Sequence, residues 1–176
     1  MSILERMLDR SGARAVTVDP MRVRHIGDVL EIERTASPRP WSVQVFHDEL
    51  REARTGRRRY VVARRGRDVV GYGGLMFVVD EAHITNIAVR EDERRRGVAS
   101  SMLAALARAA IDRGCESWTL EVRATSAGAQ HLYRSFGFAP AGVRKNYYEA
   151  GVDAIVMWCH DIQSSVYSAR LQELAR

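Results

Sequence analysis

The sequence predicts a single mixed α/β domain. A run of apolar residues at 84–89, typical of a buried strand, leads through a short charged turn into an Ala/Leu-rich helix at about 98–113. Two further apolar runs, at 60–63 and 69–79, flank a turn at 65–68 and predict a pair of strands. With 176 residues, 46% of them hydrophobic, the chain is long enough to bury one sizeable core.

The first third of the chain predicts one short strand and two helices. Residues 16–19 alternate between valine and polar side chains, which indicates a strand. Apolar residues recur at helical spacing over 21–33. The prolines within 37–40 break this pattern, and Ser42 is well placed to cap a second helix that has Phe46 on its apolar face.

The segment after the long helix predicts a strand, a short helix and two closing strands. Gly114 provides the stop for the long helix. In the next strand the side chains alternate, so that Leu120 and Glu121 point to opposite faces. A short helix then reaches Phe136. The remaining elements are closing strands near 144–148 and 154–159 and a weak extra helix within 161–176.

Composition places the chain among ordinary soluble globular proteins, because 28% of its residues are charged. No apolar segment approaches the ~20 residues of a membrane span, and residues 1–14 lack the apolar stretch of a secretory signal. The lone cysteines Cys115 and Cys159 predict reduced thiols and not a disulfide framework. We therefore expect a cytoplasmic protein.

The net charge is +5, and Lys145 is the one lysine of the sequence. An arginine-rich surface would suit nucleic acid or the ribosome. A G+C-rich genome, whose codons favour arginine, explains the bias more simply. We therefore expect no direct nucleic-acid binding.

The most informative segment is Arg94-Arg95-Arg96-Gly97-Val98-Ala99, which lies between the apolar strand and the long helix. A helix N-terminus leaves several backbone N–H groups unpaired, and glycine lets an anion approach them. The arginines and the helix dipole add positive charge. The segment thus predicts a pyrophosphate cradle, although it lacks the motifs of nucleotide-triphosphate and dinucleotide loops. Taken alone, it would more often be a solvated turn.

Four further motifs follow in order: Leu120-Glu121-Val122-Arg123, His131-Leu132-Tyr133, Phe136-Gly137-Phe138 and Arg144-Lys145-Asn146-Tyr147-Tyr148. Together with the cradle, they make the chain resemble the GNAT acetyltransferases from about residue 16 to residue 159. Within that family it is similar to the RimI-type enzymes, which acetylate the N-terminal alanine of a ribosomal protein.

The resemblance implies an α/β (α+β) fold of the GNAT type, with a mixed, mostly antiparallel central sheet of about seven strands flanked by about four helices. It also implies three parts along the chain. Residues 1–14 would be an N-terminal extension, residues 15–160 the acetyltransferase domain, and residues 161–176 a C-terminal extension.

Roles for particular residues also follow from the resemblance. Glu121 matches the general base and Tyr133 the general acid, whereas Ser126 stands where the family usually has a longer asparagine. The residues expected to contact acetyl-CoA are Ile87, Ala88, Val89, Arg94, Arg95, Arg96, Gly97, Val98, Ala99, Ser100 and Ser126. Those expected to contact a peptide substrate are Trp41, Asn146, Tyr147 and Tyr148.

The chemistry favours an α-amino group as the acceptor. Acyl transfer from a thioester needs a neutral amine, and an α-amine has a pKa of about 7.7–8.0, against about 10.4 for lysine. The lysine amine therefore costs about 3.5 kcal/mol more to deprotonate at neutral pH. A single carboxylate, Glu121, suits the easier task best. No metal or covalent nucleophile is needed, so acetyl-CoA is the one cosubstrate expected.

Each candidate also has an ordinary structural explanation. An acid on a strand is most often salt-bridged, and for Glu121 the partner would be Arg123 or Arg144. Tyr133 could simply border the core. Three further aromatic residues could be packing residues: Trp41, Tyr147 and Tyr148.

Three functions follow from these observations. The leading hypothesis is transfer of an acetyl group to the N-terminal alanine of a small-subunit ribosomal protein, by direct attack in a ternary complex. The partner would then be a protein N-terminus, with no membrane involved. An acetyltransferase of lysines or small amines is the nearest alternative. The second alternative is a non-catalytic, ribosome-docked module. The intact Gly97, Glu121 and Tyr133 argue against it, and Ser126 argues slightly for it.

Overall fold

The computed structural model describes residues 15–174 and contains one seven-stranded sheet. Its strands are β1 (Val16–Pro20), β2 (Arg58–Arg65), β3 (Asp68–Val78), β4 (Glu81–Val89), β5 (Ser117–Arg123), β6 (Ala139–Glu149) and β7 (Val152–Cys159). They are arranged in the order β1-β2-β3-β4-β5-β7-β6, and β4 and β5 form the one parallel pair of this sheet. The mixed, mostly antiparallel sheet of about seven strands that the family resemblance implies is confirmed.

Five α-helices flank the sheet in the described part of the chain, one more than the expected number of about four. The first helix begins later than predicted, because Val23–His25 forms a 3-10 turn. It ends before Ser37, which is extended because the following residue is a proline. The helices are α1 (Ile26–Ala36), α2 (Val43–Arg54), α3 (Val98–Asp112), α4 (Ala127–Ser135) and α5 (Ser165–Leu174).

Each face of the sheet carries its own hydrophobic core. The larger core joins α3, α4 and α5 to the sheet and includes the completely buried Trp118 and Phe136. The smaller core joins α1 and α2 to the opposite face through Val29, Phe46 and Tyr72, which are also completely buried. Burying such a side chain contributes about 1.5–3 kcal/mol. The two cores together fix both faces of the sheet around the β4–β5 pair.

The parallel strands β4 and β5 are paired over only three residues. Residues 81–83 of β4 lie opposite residues 117–119 of β5, and beyond His83 no residue of β4 is paired with β5. Further along β4, Thr85 has no partner in β3, because the register passes from Ile84 directly to Asn86. Such a bulge bends a strand and increases its twist. The remainder of β4 therefore has a strand partner on one side only.

The C-terminal helix α5 packs into the larger core. Tyr167 and Leu171 are buried, as is Ile162 just before the helix. The side chain of Gln163 donates to the carbonyl oxygens of Ile111 at 3.0 Å and Cys115 at 2.8 Å. These contacts fix the C-terminal segment to the end of α3.

Both cysteines are free and buried, and burial raises the pKa of each thiol. Within residues 15–174, no helix has the length and apolar character needed to span a membrane. The N-terminal extension expected at 1–14 lies outside the described residues.

Candidate active site

The unpaired edge of β4 forms one wall of a cleft of 330 Å³. Arg90 donates its backbone N–H to the carbonyl of Val70 on β3 at 2.9 Å. Because alternate residues of an antiparallel strand direct their N–H groups to opposite sides, those of Ile87 and Val89 point away from β3. They face the gap between β4 and β5. An extended ligand with amide groups can pair with this edge as an added strand would.

The cradle predicted from the sequence adjoins this cleft at the start of α3. Gly97 is the N-cap residue and has a left-handed φ of +77°. A Cβ atom at this position would meet nothing within 4 Å, so the approach to the first-turn N–H groups is open. A second cavity of 350 Å³ shares Ala129 with the cleft and is lined by cradle residues, among them Arg94, Arg95, Gly97, Val98, Ala99 and Ser100.

The three arginines of the cradle differ in their surroundings. Arg94 donates from Nε to the carbonyl of Val89 at 3.4 Å, and Arg95 lines the cavity with a positive φ of 58°. Arg96 does not line this cavity and lies 3.7 Å from Glu93. Two of the three arginines therefore face the cavity.

Ser126 lies in the cleft, at the N-terminus of α4. Its hydroxyl makes no capping hydrogen bond and has no hydrogen-bond partner among the described residues. The group is therefore available to a ligand, although it reaches less far than an asparagine.

Glu121 extends from β5 into the cleft, and its side chain is only 7% exposed. Oε1 lies 3.2 Å from Arg144 NH1, and Oε2 lies 3.0 Å from His83 Nε2. Arg123 pairs instead with Glu149 at 2.9 Å. The salt bridge to Arg144 that the sequence allowed is present, and His83 is an additional neighbour that sequence reasoning missed.

Tyr133 faces the same cleft from α4 and is 9% exposed. Its ring packs edge-on against Phe138, with centroids 5.8 Å apart, so it borders the core and the cleft together. Burial raises the pKa of Tyr133, and its hydroxyl has no hydrogen-bond partner within residues 15–174. The phenol is therefore a protonated donor without an acceptor in the protein.

Glu33, at the end of α1, is a buried carboxylate of the cleft that sequence reasoning also missed. It accepts hydrogen bonds from the Trp41 backbone N–H at 3.0 Å and from the Tyr72 hydroxyl. It forms no ion pair within the described chain. No local pattern distinguishes this residue, because a glutamate in an amphipathic helix usually faces solvent.

The four residues expected at a peptide substrate fall into two groups. Trp41 and Tyr148 line the cleft. The Tyr148 hydroxyl donates to the backbone carbonyl of Glu121 at 2.9 Å, and burial raises the pKa of Tyr148 to about 12.

Asn146 and Tyr147 do not line the cleft; they lie in the last part of β6, before the hairpin turn that leads to β7. The Asn146 side chain accepts from Gly151 N–H at 2.8 Å and thereby helps to close this hairpin. Tyr147 is 46% exposed and stacks edge-on against Tyr148.

These features form a cleft between two diverging strands, beside an open helix N-terminus whose cavity is lined by two arginines. Residues 26–138 match the model of the acetyltransferase (GNAT) family. The chain therefore belongs to this family, whose cosubstrate is acetyl-CoA.

Named relatives agree with this assignment. A Bacillus subtilis (strain 168) protein is 35% identical over 139 residues, which cover 78% of this chain and 91% of the relative, and its provisional name is ribosomal protein bS18-alanine N-acetyltransferase. The Escherichia coli (strain K12) ribosomal protein bS18-alanine N-acetyltransferase is 32% identical over 144 residues, covering 80% and 95% of the two chains.

A solved structure is similar throughout its fold. The crystal structure of the ribosomal-protein-S18-alanine N-acetyltransferase from Escherichia coli has a TM-score of 0.75 and 31% identity. The match covers 84% of this chain and 94% of that one.

The site fits acetyl-CoA by its own geometry. The unpaired edge of β4 suits the amides of a pantetheine arm, and the open cradle with its two arginines suits a pyrophosphate. Within residues 15–174, no three His, Cys, Asp or Glu side chains are grouped so that they could hold a metal ion.

The cradle predicts a charge-dependent loss of binding. Gly97→Glu and Gly97→Gln add the same bulk and the same backbone strain, but the glutamate also adds a negative charge beside the pyrophosphate. We expect calorimetry to show that Gly97→Glu binds acetyl-CoA at least about tenfold more weakly than Gly97→Gln, because one such repulsion costs about 1.4 kcal/mol or more. Equal affinities in two variants with equal melting temperatures would place the pyrophosphate elsewhere.

Proposed function

We propose that this protein transfers an acetyl group from acetyl-CoA to the α-amino group of a protein N-terminus. The natural substrate would be the N-terminal alanine of a small-subunit ribosomal protein, and the site of action the cytoplasm. The names of the relatives from Bacillus subtilis and Escherichia coli support this choice of substrate.

One observation carries the proposal: a carboxylate and a phenol face one cleft beside an unpaired strand edge. Glu121, Tyr133 and Ile87 line this cleft, and Val89 lines the adjoining cavity. The N–H groups of Ile87 and Val89 point away from β3, into the gap between β4 and β5. Acetyl-CoA supplies the acyl group as a reactive thioester. Glu121 would accept the proton of the amine, and Tyr133 would donate a hydrogen bond to the departing sulfur. The Val89 N–H would polarise the acyl carbonyl.

The surroundings of the cleft suit a peptide N-terminus. Glu33 is 6% exposed and has no cationic partner in the described chain, so an incoming ammonium group would supply the missing charge. Trp41 and Tyr148 provide aromatic side chains in the lining of the cleft. A peptide that enters between them brings its first amino group towards both carboxylates of the cleft.

The choice of amine can be tested with two matched peptides. One begins with a free alanine and contains no lysine, and the other is blocked at its N-terminus and contains one lysine. We expect mass spectrometry to show acetylation of the first peptide and a rate about 10²-fold lower for the second, because the lysine amine is harder to deprotonate.

Other outcomes would lead to the alternatives. Equal rates on the two peptides would indicate an acetyltransferase of lysines. Turnover of neither peptide, by a protein that binds acetyl-CoA, would indicate a non-catalytic module.

A second prediction concerns the base. Glu121→Gln preserves the shape of the side chain and removes its basicity, so kcat on the alanine peptide at neutral pH should fall by about 10²–10⁴. The loss should shrink above pH 8, because an α-amine is then largely deprotonated in solution. Stopped-time assays between pH 6 and 9.5 measure both effects.

The matched control is Glu116→Gln, at an exposed glutamate just before β5. This variant should retain the wild-type rate at every pH. Wild-type activity of Glu121→Gln at neutral pH would show that the base lies elsewhere.

A further inference from the structure

His83 occupies a distinctive place in the sheet. It is the last residue of β4 that has a strand partner on both sides, Met76 in β3 and Thr119 in β5. The next residues of β4 have lost their partners in β5. The imidazole therefore lies at the point where β4 and β5 separate. Its backbone is still paired with both neighbouring strands.

The side chain of His83 meets the carboxylate of Glu121. Nε2 lies 3.0 Å from Oε2, and the imidazole is 25% exposed. Glu121 follows Thr119 by two residues, so the two side chains are on the same face of β5, and His83 lies beside them on that face. Neither register partner of His83 is charged, and Glu121 is the one ion-pair partner of His83 among the described residues.

The two oxygens of Glu121 are held by unequal partners. Arg144, which contacts Oε1, is 55% exposed and extends from the edge strand β6 where its register with β7 is interrupted. Its guanidinium also lies 5.4 Å from the centroid of the Tyr147 ring, so it retains a contact at the rim of the cleft when it leaves Oε1. The His83 side chain is short, and its backbone is paired with both β3 and β5. It can therefore remain in contact with Oε2 after Arg144 has left Oε1.

We propose that His83 is a positioning residue, which holds Oε2 of Glu121 so that Oε1 is presented to the substrate amine. This inference rests on the proposed function. The incoming ammonium group displaces Arg144 from Oε1 and loses one proton to solvent, which leaves a neutral amine beside this oxygen. As its nitrogen attacks the acyl carbon and the carbon–sulfur bond breaks, a second proton passes from nitrogen to Oε1, and Tyr133 protonates the departing sulfur. Solvent takes the proton from Oε1 and restores that of Tyr133 after the products leave. His83 does not take the proton; it keeps the carboxylate oriented.

Two substitutions of similar volume test this role. His83→Gln retains an N–H donor, and His83→Leu removes it. We expect His83→Leu to lower kcat on the alanine peptide by about tenfold or more with little change in either KM, because misplacing a reacting group costs rate and not binding. His83→Gln should recover most of that loss. His131→Gln, at an exposed histidine without hydrogen bonds or ion pairs in the described chain, is the matched control.

A double-mutant cycle shows whether His83 acts through Glu121. In the Glu121→Gln background, His83→Leu should cause no further loss of kcat, because there is no longer a base to orient. An equal fractional loss in both backgrounds would overturn the proposal, as would equal activities of His83→Leu and His83→Gln.

A spectroscopic measurement separates this inference from the proposed function. Nitrogen-15 NMR of the free protein should show that the proton of neutral His83 lies on Nε2, facing Glu121, and that Glu121→Gln shifts the population towards the Nδ1–H tautomer. This result does not depend on turnover, so it would survive if the wild-type protein failed to acetylate the alanine peptide. A proton on Nδ1 in the wild-type protein would contradict the positioning role even if the peptide were acetylated.

Discussion

The divergence of β4 from β5 is the constraint on which the rest of the structure depends. Each buried backbone group without a hydrogen-bond partner costs about 1–3 kcal/mol, so two parallel strands in the middle of a sheet normally remain paired. Here the pairing stops after His83, and the N–H groups of Ile87 and Val89 face the gap between the two strands. The bulge at Thr85 turns the strand away, and the two cores hold the separated strands in place. A ligand that supplies the missing hydrogen bonds completes the sheet.

The two buried carboxylates of the cleft have contrasting surroundings, which suits different tasks. Glu121 lies between two basic side chains, His83 and Arg144, whereas Glu33 accepts hydrogen bonds from uncharged donors only. A buried carboxylate without a cation is costly until a cation arrives. In our proposal Glu33 attracts the substrate ammonium group, and Glu121 removes its proton. Burial raises the pKa of Tyr133 and keeps its phenol protonated. In our proposal this phenol donates a hydrogen bond to the departing sulfur.

Much of the fold could be predicted from local patterns, and the parts that could not have identifiable causes. The alternation around Glu121 correctly placed this residue and Leu120 on opposite faces, because polar and apolar side chains alternate along this strand. The 3-10 turn before α1 was not predicted. The spacing of apolar residues in this turn continues the spacing in the helix, so the two segments look like one helix in the sequence. The place of His83 beside Glu121 depends on which strands are neighbours and in what register, and no local pattern records that. Glu33 was missed for a related reason: its burial results from the tertiary position of Trp41 and Tyr72.

Residue-resolved amide hydrogen exchange of β4 tests the central claim most directly. In the free protein the amides of Ile87 and Val89 should exchange much faster than that of Arg90, which is bonded to Val70 on β3. Saturating acetyl-CoA should slow exchange at Ile87 and Val89 and leave Arg90 almost unchanged, because the ligand would take the place of the missing strand. Exchange at Ile87 and Val89 that is already slow in the free protein, or that acetyl-CoA does not alter, would contradict the account.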